Sequence, residues 1–538
     1  MPEQQETEKK KVKIAKRILK WIGLGLLVFL IIAAAILQAP WKLTILLLII
    51  LAACTILPKP FRKWFWLSAG VVVIVLIVWV FLPEDNEGWR PYTFDEELAA
   101  LQAKYAIPDE ENAAVIYNQL LADYDANTFE PNFPDEEQER LTRTEPWLNK
   151  DYPELAEWLK GHQSTIETLL EASRKEKCRF PISDTVSMTP QINRNSAIKH
   201  WAYLLIRTAN NDLAEGRIGQ SIEKNLALLQ VAKHLCQQPT IIDMLVGFSI
   251  EGLANSNLNR FVVTSDPTEA HLSIIEEALN EIKHDWSSDL PRFPEHEKLL
   301  EKNTVCSITY QRNPEGKTRL SRDPTAAFKN LYPEEVPPLS FWQKKLIKAF
   351  IILGWFGGAP STPQKVSDII DTSFERLYRM AEPDFDWKKE PKKFSMSSIK
   401  INFCLMTRRT IDMLITTSES TYYTVHDIYL ATIAQQKGSQ IIIALRRYKN
   451  QNGQWPATLE DIKSFAPAEI FVDPINGDSF VYKQTEGNFI LYSKGKNNID
   501  EGGKYHGNWP DDAQPDDRLI WPPKSRETKK EKVDAEQH

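Results

Sequence analysis

Three apolar runs open the chain, separated by short polar turns: Ile18 to Ala39, Trp41 to Leu57 and Trp64 to Leu82. A helix rises about 1.5 Å per residue and a bilayer's hydrocarbon core is about 30 Å thick. Each run is therefore near the ~17–25 residues that a crossing needs. The sequence predicts a membrane anchor of three N-terminal transmembrane helices over 1–83, with the lipid bilayer as its first partner. Basic residues crowd the tail (Lys9, Lys10, Lys11, Lys13, Lys16, Arg17, Lys20) and the second turn (Lys59, Arg62, Lys63), whereas Glu84, Asp85 and Glu87 follow the third run. Basic loops stay cytoplasmic. The expected placement is a bacterial inner (cytoplasmic) membrane, N-terminus in the cytoplasm, soluble body extracytoplasmic. Ile18–Ala39 reads as a retained helix rather than a cleaved signal, because Pro40 follows the best small-residue site and the run is long for a signal core. Trp41–Leu57 is short and ended by Pro58, so a re-entrant hairpin or a short helix in a thinned bilayer is its alternative.

At 538 residues the chain holds enough material beyond the anchor for one large core or two to three smaller ones. Net charge is −7 and the isoelectric point is near 5.9. No basic face interleaved with aromatics appears, which argues against nucleic-acid binding. Of five cysteines, Cys54 sits in the second run. Cys178, Cys236, Cys306 and Cys404 lie in the body, where an extracytoplasmic location permits disulfides in three pairings. Without a C-x-x-C pair a zinc ribbon is excluded. Buried thiols are the other reading.

The body reads as mostly α-helical over 84–420. A helix is expected after Pro108, with Ala113, Ile116, Tyr117, Leu120 and Tyr124 on one face. Asn127–Thr144 reads as a loop and Leu155–Ala172 as a helix. Ser196–Val263 carries three helical stripes, the first stopped at Glu215-Gly216 and the third capped by Thr240 with Asp243 as partner. Gly247 and Gly252 inside that third helix predict close helix contact. The succession looks like tetratricopeptide-like helix pairs, although no repeat period stands out. His271–Ile282 is a further helix. Asn303–Ser340 and Ala381–Lys393 read as polar loops, and Ala349–Gly358 as core. From Thr424 a long helix leads into short strands at Ile470–Val472, Ser479–Gln484 and Phe489–Ser493, separated by turns. This predicts a small α+β head over 421–523 and a disordered tail over 524–538.

The C-terminal motifs run Leu445-Arg446-Arg447-Tyr448-Lys449, Asn452-Gly453-Gln454-Trp455-Pro456, Asp473-Pro474 with Gly477 and Tyr482, Leu491-Tyr492-Ser493-Lys494-Gly495 and Asp500-Glu501-Gly502-Gly503. In this order they resemble the globular head of the type II secretion major pseudopilin. That resemblance implies a pseudopilin-like head with a calcium-binding acidic loop, whose ligands fall at Asp500, Asp516 and Asp517. Asn112-Ala113-Ala114 with Tyr117, Leu213-Ala214-Glu215-Gly216, and His234 to Thr240 are similar to uncharacterised bacterial membrane-anchored proteins that pair a helical body with such a head. A pseudopilin begins with a processed leader and an apolar helix. Here the corresponding helix follows residue 420 and is amphipathic, so the head reads as a borrowed module.

Chemistry is sparse. Asp500, Asp512, Asp516 and Asp517 lie among Gly and Asn, and calcium takes six to eight oxygen ligands. The competing reading is a solvated acidic loop. His200 and His234 lack H-E-x-x-H spacing. Ser249 misses the G-x-S-x-G elbow and lies in a helix. Asp384 and Asp386 fall in a loop. No catalytic residue and no cofactor other than calcium is expected. The function expected is a membrane-anchored extracytoplasmic scaffold or interaction protein with a protein partner in the cell envelope, linked to secretion or pilus-like assembly. The alternative is an extracytoplasmic hydrolase whose acidic site forms only in the fold.

Overall fold

The computed structural model describes residues 87–182, 189–321, 362–382, 384–387, 408–505 and 515–523, with 67, 71 and 340 singly. In chain order the elements begin with β1 (Arg90–Pro91), α1 (Asp95–Lys104), α2 (Ala113–Ala122), α3 (Ala126–Phe129), α4 (Glu136–Thr144), α5 (Pro153–Gly161) and α6 (Gln163–Ser173). Next come α7 (Thr189–Ala214), α8 (Ile218–Cys236), α9 (Ile241–Thr264), α10 (Glu269–Glu281), α11 (Trp286–Asp289) and α12 (Arg292–Thr309). The rest are β2 (Tyr310–Arg312), β3 (Thr318–Leu320), α13 (Pro363–Arg379), α14 (Arg408–Asn452), β4 (Val481–Thr485), β5 (Asn488–Ser493) and β6 (Arg518–Trp521), with short 3-10 turns at Asp109–Glu111, Leu459–Phe465 and Ala468–Phe471, the last in place of the strand expected over Ile470–Val472. The chain divides into two compact units: one of 1–98, 183–187 and 297–420, the other of 99–182, 188–296 and 421–538.

The expected fold class needs correction. Among the described residues no helix is long and apolar enough to cross a membrane. The longest helices carry buried polar groups along their length, such as Arg207, Asn210 and Asp212 on α7 and Glu251, Asn255 and Asn259 on α9. Of the three N-terminal apolar runs, only Leu67 and Val71 fall among the described residues. The tetratricopeptide-like pairing is also corrected. Helices α7, α8 and α9 have 26, 19 and 24 residues, too long and too unequal for a 34-residue helix–turn–helix repeat.

The first unit contains an antiparallel sheet in the order β1-β2-β3, with Arg90 opposite Arg312 and Tyr310 opposite Leu320. Helix α13 starts at an N-cap, where Thr362 accepts from Lys365 N and Pro363 occupies the first turn. Its buried face is Val366, Ile370, Phe374 and Leu377, at helical spacing. Lys302, almost fully buried, bridges Glu97 at 2.9 Å and Asp371 at 3.0 Å. The loop expected over Asn303–Ser340 is therefore corrected at its start. Val305, Cys306 and Tyr310 are buried, and that apolar content carries the helix and two strands.

One apolar core fills the second unit, running through α2, α5 to α10, α14 and the C-terminal strands, from Ala113 to Trp521. Gly247 sets the spacing of α8 and α9: a Cβ there would lie 2.7 Å from Cys236 Sγ and 2.9 Å from Ala232 O. Thr240 caps α9 through Asp243 N at 3.2 Å, with its hydroxyl donating back to Asp243 Oδ2 at 2.7 Å. Arg446 of α14, buried, donates to Val262 O (2.6 Å) and Val263 O (2.5 Å), the last carbonyls of α9. This satisfies orphan C-terminal groups with a favourable charge. Two expectations are corrected inside this unit, the loop over Asn127–Thr144 and the single helix over Leu155–Ala172. Asp135 accepts from Gln138 N and starts α4, and the single helix expected over Leu155–Ala172 breaks at His162, whose ring contacts Trp158 O at 2.8 Å. Cys178, Cys236 and Cys306 are free thiols. Cys404 and Ala349–Gly358 lie outside the described residues.

Candidate functional site

The C-terminal strands hold the acidic loop. β4 and β5 form a hairpin with Val481 opposite Tyr492 and Thr485 opposite Asn488. Glu486-Gly487 makes the two-residue turn, with Gly487 at φ 73°, a conformation glycine adopts without strain. β6 pairs with β5 on its other side. It packs closely on α14, because a Cβ at Gly438 would lie 2.6 Å from Ile520 Cδ1. Between β5 and β6 the chain leaves at Lys494 and returns through a bridge of Tyr505 with Asp516. A second turn supports the loop: Asp473 accepts from Ile475 N and from Asn476 Nδ2, and Asn476 Nδ2 also reaches Gly495 O at 3.0 Å. Asp478 accepts from Lys494 and Asn498, each at 3.0 Å.

Two carboxylates, Asp517 and Glu501, meet inside this frame, and Asp516 is fixed on the loop beside them. Asp516 Oδ2 accepts from Lys496 N at 2.7 Å and Asn497 N at 3.3 Å. Asp517, fully buried, accepts through Oδ2 from Glu501 N at 3.0 Å and Gly503 N at 2.7 Å. Glu501 Oε1 accepts from Asn497 Nδ2 at 2.6 Å. The second oxygen of each carboxylate (Asp516 Oδ1, Asp517 Oδ1 and Glu501 Oε2) is buried and has no partner. Gly495 allows the approach: at φ 64° its Cβ would sit 2.4 Å from Asp516 Cγ. Burial pushes the Asp517 carboxyl up to about 6, and the neighbouring Glu501 carboxyl adds to the rise. Buried carboxylates that share a site resist ionising together unless a proton or cation joins them.

Asp517 thus faces Glu501, Asp516 holds the Lys496 and Asn497 amides, and Asp500 is turned elsewhere. Its carboxylate accepts from Tyr492 OH at 2.5 Å, Lys483 Nζ at 3.1 Å and Gly502 N at 3.0 Å. The Tyr492 hydroxyl, the Gly502 N–H and Lys483 together hold it below the usual carboxylate range. Asp512 lies outside the described residues. Glu501, one residue along, takes the inward position. The Gly502-Gly503 pair that follows, both at positive φ, turns the backbone and brings Gly503 N to Asp517. Among the described residues no group of three or more His, Cys, Asp or Glu side chains is placed so that it could hold a metal ion. A calcium ion here would draw Asp516, Asp517 and Glu501 inward and complete its shell from loop carbonyls.

The other candidates have structural partners. His234 meets Tyr117 OH at 2.9 Å and Lys175 O at 2.8 Å, and burial holds it neutral, down to about 4. His200 meets Tyr124 OH at 2.5 Å. Ser249 is exposed on α9, and Asp384 and Asp386 are exposed in a turn. His284 pairs with buried Glu251 at 2.9 Å, a contact that no sequence motif announces. An open cleft of about 420 Å³ lies between α6, α8 and α10, with Leu170, Ile222, Leu226 and Ala278 as its apolar floor. Ile274 on its wall is 48 % exposed. Compared with known proteins, the chain matches no family model, no curated protein and no solved structure.

Proposed function

We propose that this chain is a non-catalytic interaction scaffold whose C-terminal strands are closed by a structural calcium ion. The observation that carries the reading is the set of three buried carboxylate oxygens without partners at Asp516, Asp517 and Glu501. A buried charged acceptor with no donor is costly, and a hard cation removes that cost while adding no reaction. The cleft beside Ile274 supports the scaffold role, since it offers apolar surface to a partner protein's side chains. Calorimetric titration of the full chain with calcium is expected to show one saturable site that Glu501→Gln with Asp517→Asn removes. Absence of saturable heat in the native chain would reject the ion. A second reading, an acid–base hydrolase, draws on the same raised Asp517 beside Glu501. Calcium saturation of that pair would count against it.

A further inference from the structure

Helix α10 is packed on one side and open on another. Leu272, Ile275 and Leu279 are buried, and Glu276 accepts from Arg447 through both its oxygens, at 2.9 and 2.8 Å. The remaining stripe, His271, Ile274, Ala278 and Glu281, lines the open cleft beside α6 and α8. Spacings of three, four and three put these four residues on one side of the helix, over about 15 Å. Ile274 is large and exposed, whereas Ala278, one turn on, is small. On the α8 side Gly219 has nothing within 4 Å of its Cβ position, so an entering side chain has room above Leu226 and Ile222.

The rim of the cleft carries both signs of charge. Arg174 and Lys233 stand against Glu223 and Glu281. Arg174 and Glu223 approach to 3.9 Å with both side chains exposed, a pair that contributes little. A rim of one sign would suit a charged ligand. A balanced rim suits a surface that also carries both signs, and this face meets that condition itself. His271 and Glu281 lie five residues to either side of position 276, and Ile274 and Ala278 two residues to either side. Two copies of α10 laid antiparallel about that position set each His271 opposite a Glu281 and each Ile274 opposite an Ala278. Acid meets imidazole and large meets small, which is the self-complementarity that a twofold contact requires. The imidazole is already oriented for this. Its Nδ1 accepts from Thr268 N at 3.4 Å, which leaves Nε2 carrying the proton.

We infer that the cleft face of α10 is the contact through which two copies of this chain associate, antiparallel about position 276, with Ile274 of each copy entering the cleft of the other over its Ala278. His271 Nε2 then donates to Glu281 of the second copy at both ends. The inference rests on the interaction-scaffold reading and names the chain itself as the partner, and it is independent of calcium. The test is sedimentation velocity of the full chain in EDTA. A reversible monomer–dimer equilibrium is expected between about 1 and 200 μM, because the face is small. His271→Glu sets like charges opposite one another at both ends while keeping a residue that serves the capping box. Glu281→Lys removes the acceptor. Each is expected to weaken the dimer by about tenfold or more. The two together should restore it, since the exchanged charges meet again only across a twofold. Ile274→Glu, at an exposed position, should weaken it similarly and stands in if a charge variant misfolds. A native chain that stays monomeric, association that the single variants leave unchanged, or a double variant as weak as His271→Glu overturns the second copy as occupant. The calcium titration is a separate measurement, so failure of the dimer and failure of the ion are told apart.

Discussion

His234 shows how one buried side chain imposes a pH dependence. Its ring is 1 % exposed and its folded value is about 4, against about 6.5 when unfolded. Between those values the unfolded state binds more protons, so stability is present above 6.5 and lost as pH falls towards 4. The loss is on the order of 3 kcal/mol when complete. His296 and His426, each also near 4, add with the same sign. His284 opposes them: burial lowers it, but the Glu251 carboxylate outweighs burial and the net direction is up. Its contribution is therefore present at low pH and lost as pH rises through its raised value. Urea unfolding at pH 7 and pH 5 is expected to show lower stability at pH 5, with a shallower difference in His234→Gln. Gly495→Ala makes a separate case at this scale. A Cβ at φ 64° and 2.4 Å from Asp516 should cost about 2–4 kcal/mol, read as a fall in the urea midpoint. Asp516 and Asp517 were visible in the sequence as members of an acidic cluster. Glu501 was not, because its place beside Asp517 and the place of Asp500 beside Tyr492 and Lys483 are set by contacts made only in the fold.

Helices follow local rules where the rule is local. The Thr240 cap with Asp243 and the stop at Gly216 (φ 78°) could be read directly from the sequence. Helix α13 could also have been found: Thr362-Pro363 is a start signal and Val366, Ile370, Phe374, Leu377 is a stripe. Its short polar context hid it. β6 was missed because Arg518–Trp521 is four residues long and becomes a strand only through pairing with β5. The two glycines of α9 separate helix propensity from packing. Gly247→Ala drives a methyl into Cys236 and Ala232 and should destabilise by about 1–3 kcal/mol. Gly252 has nothing within 4 Å of its Cβ position, so Gly252→Ala should stabilise by about 0.5–1 kcal/mol. Denaturant midpoints of the two variants, moving in opposite directions, check this.

In the second unit the C-terminal strands share a core with the helices. Ile441, Ile442 and Leu445 of α14 are buried with Trp455, Phe489 and Trp521 in the same cluster as Leu205, Leu228 and Phe261. Deleting 453–538 should therefore expose apolar surface on α14 and on the helices around it. The expected result is loss of the cooperative thermal transition of this unit rather than survival of a folded helical remainder. A remainder with an undiminished transition would mean that the strands are dispensable. This shared core arises from contacts far apart in sequence, which no periodicity records.

We propose that a cation closes the loop at Asp516, Asp517 and Glu501. A ligand that binds only the folded state stabilises it by RT ln(1 + [L]/Kd), about 2.7 kcal/mol at a hundredfold excess over Kd. The most direct measurement is thermal unfolding of the full chain in EDTA and in millimolar calcium, with magnesium as control. The account predicts a Tm several degrees higher in calcium alone, and no such rise in Glu501→Gln with Asp517→Asn. In EDTA that variant should be no less stable than the native chain, because removing two crowded carboxylates relieves their repulsion. A native Tm that is the same in calcium and in EDTA would contradict the account.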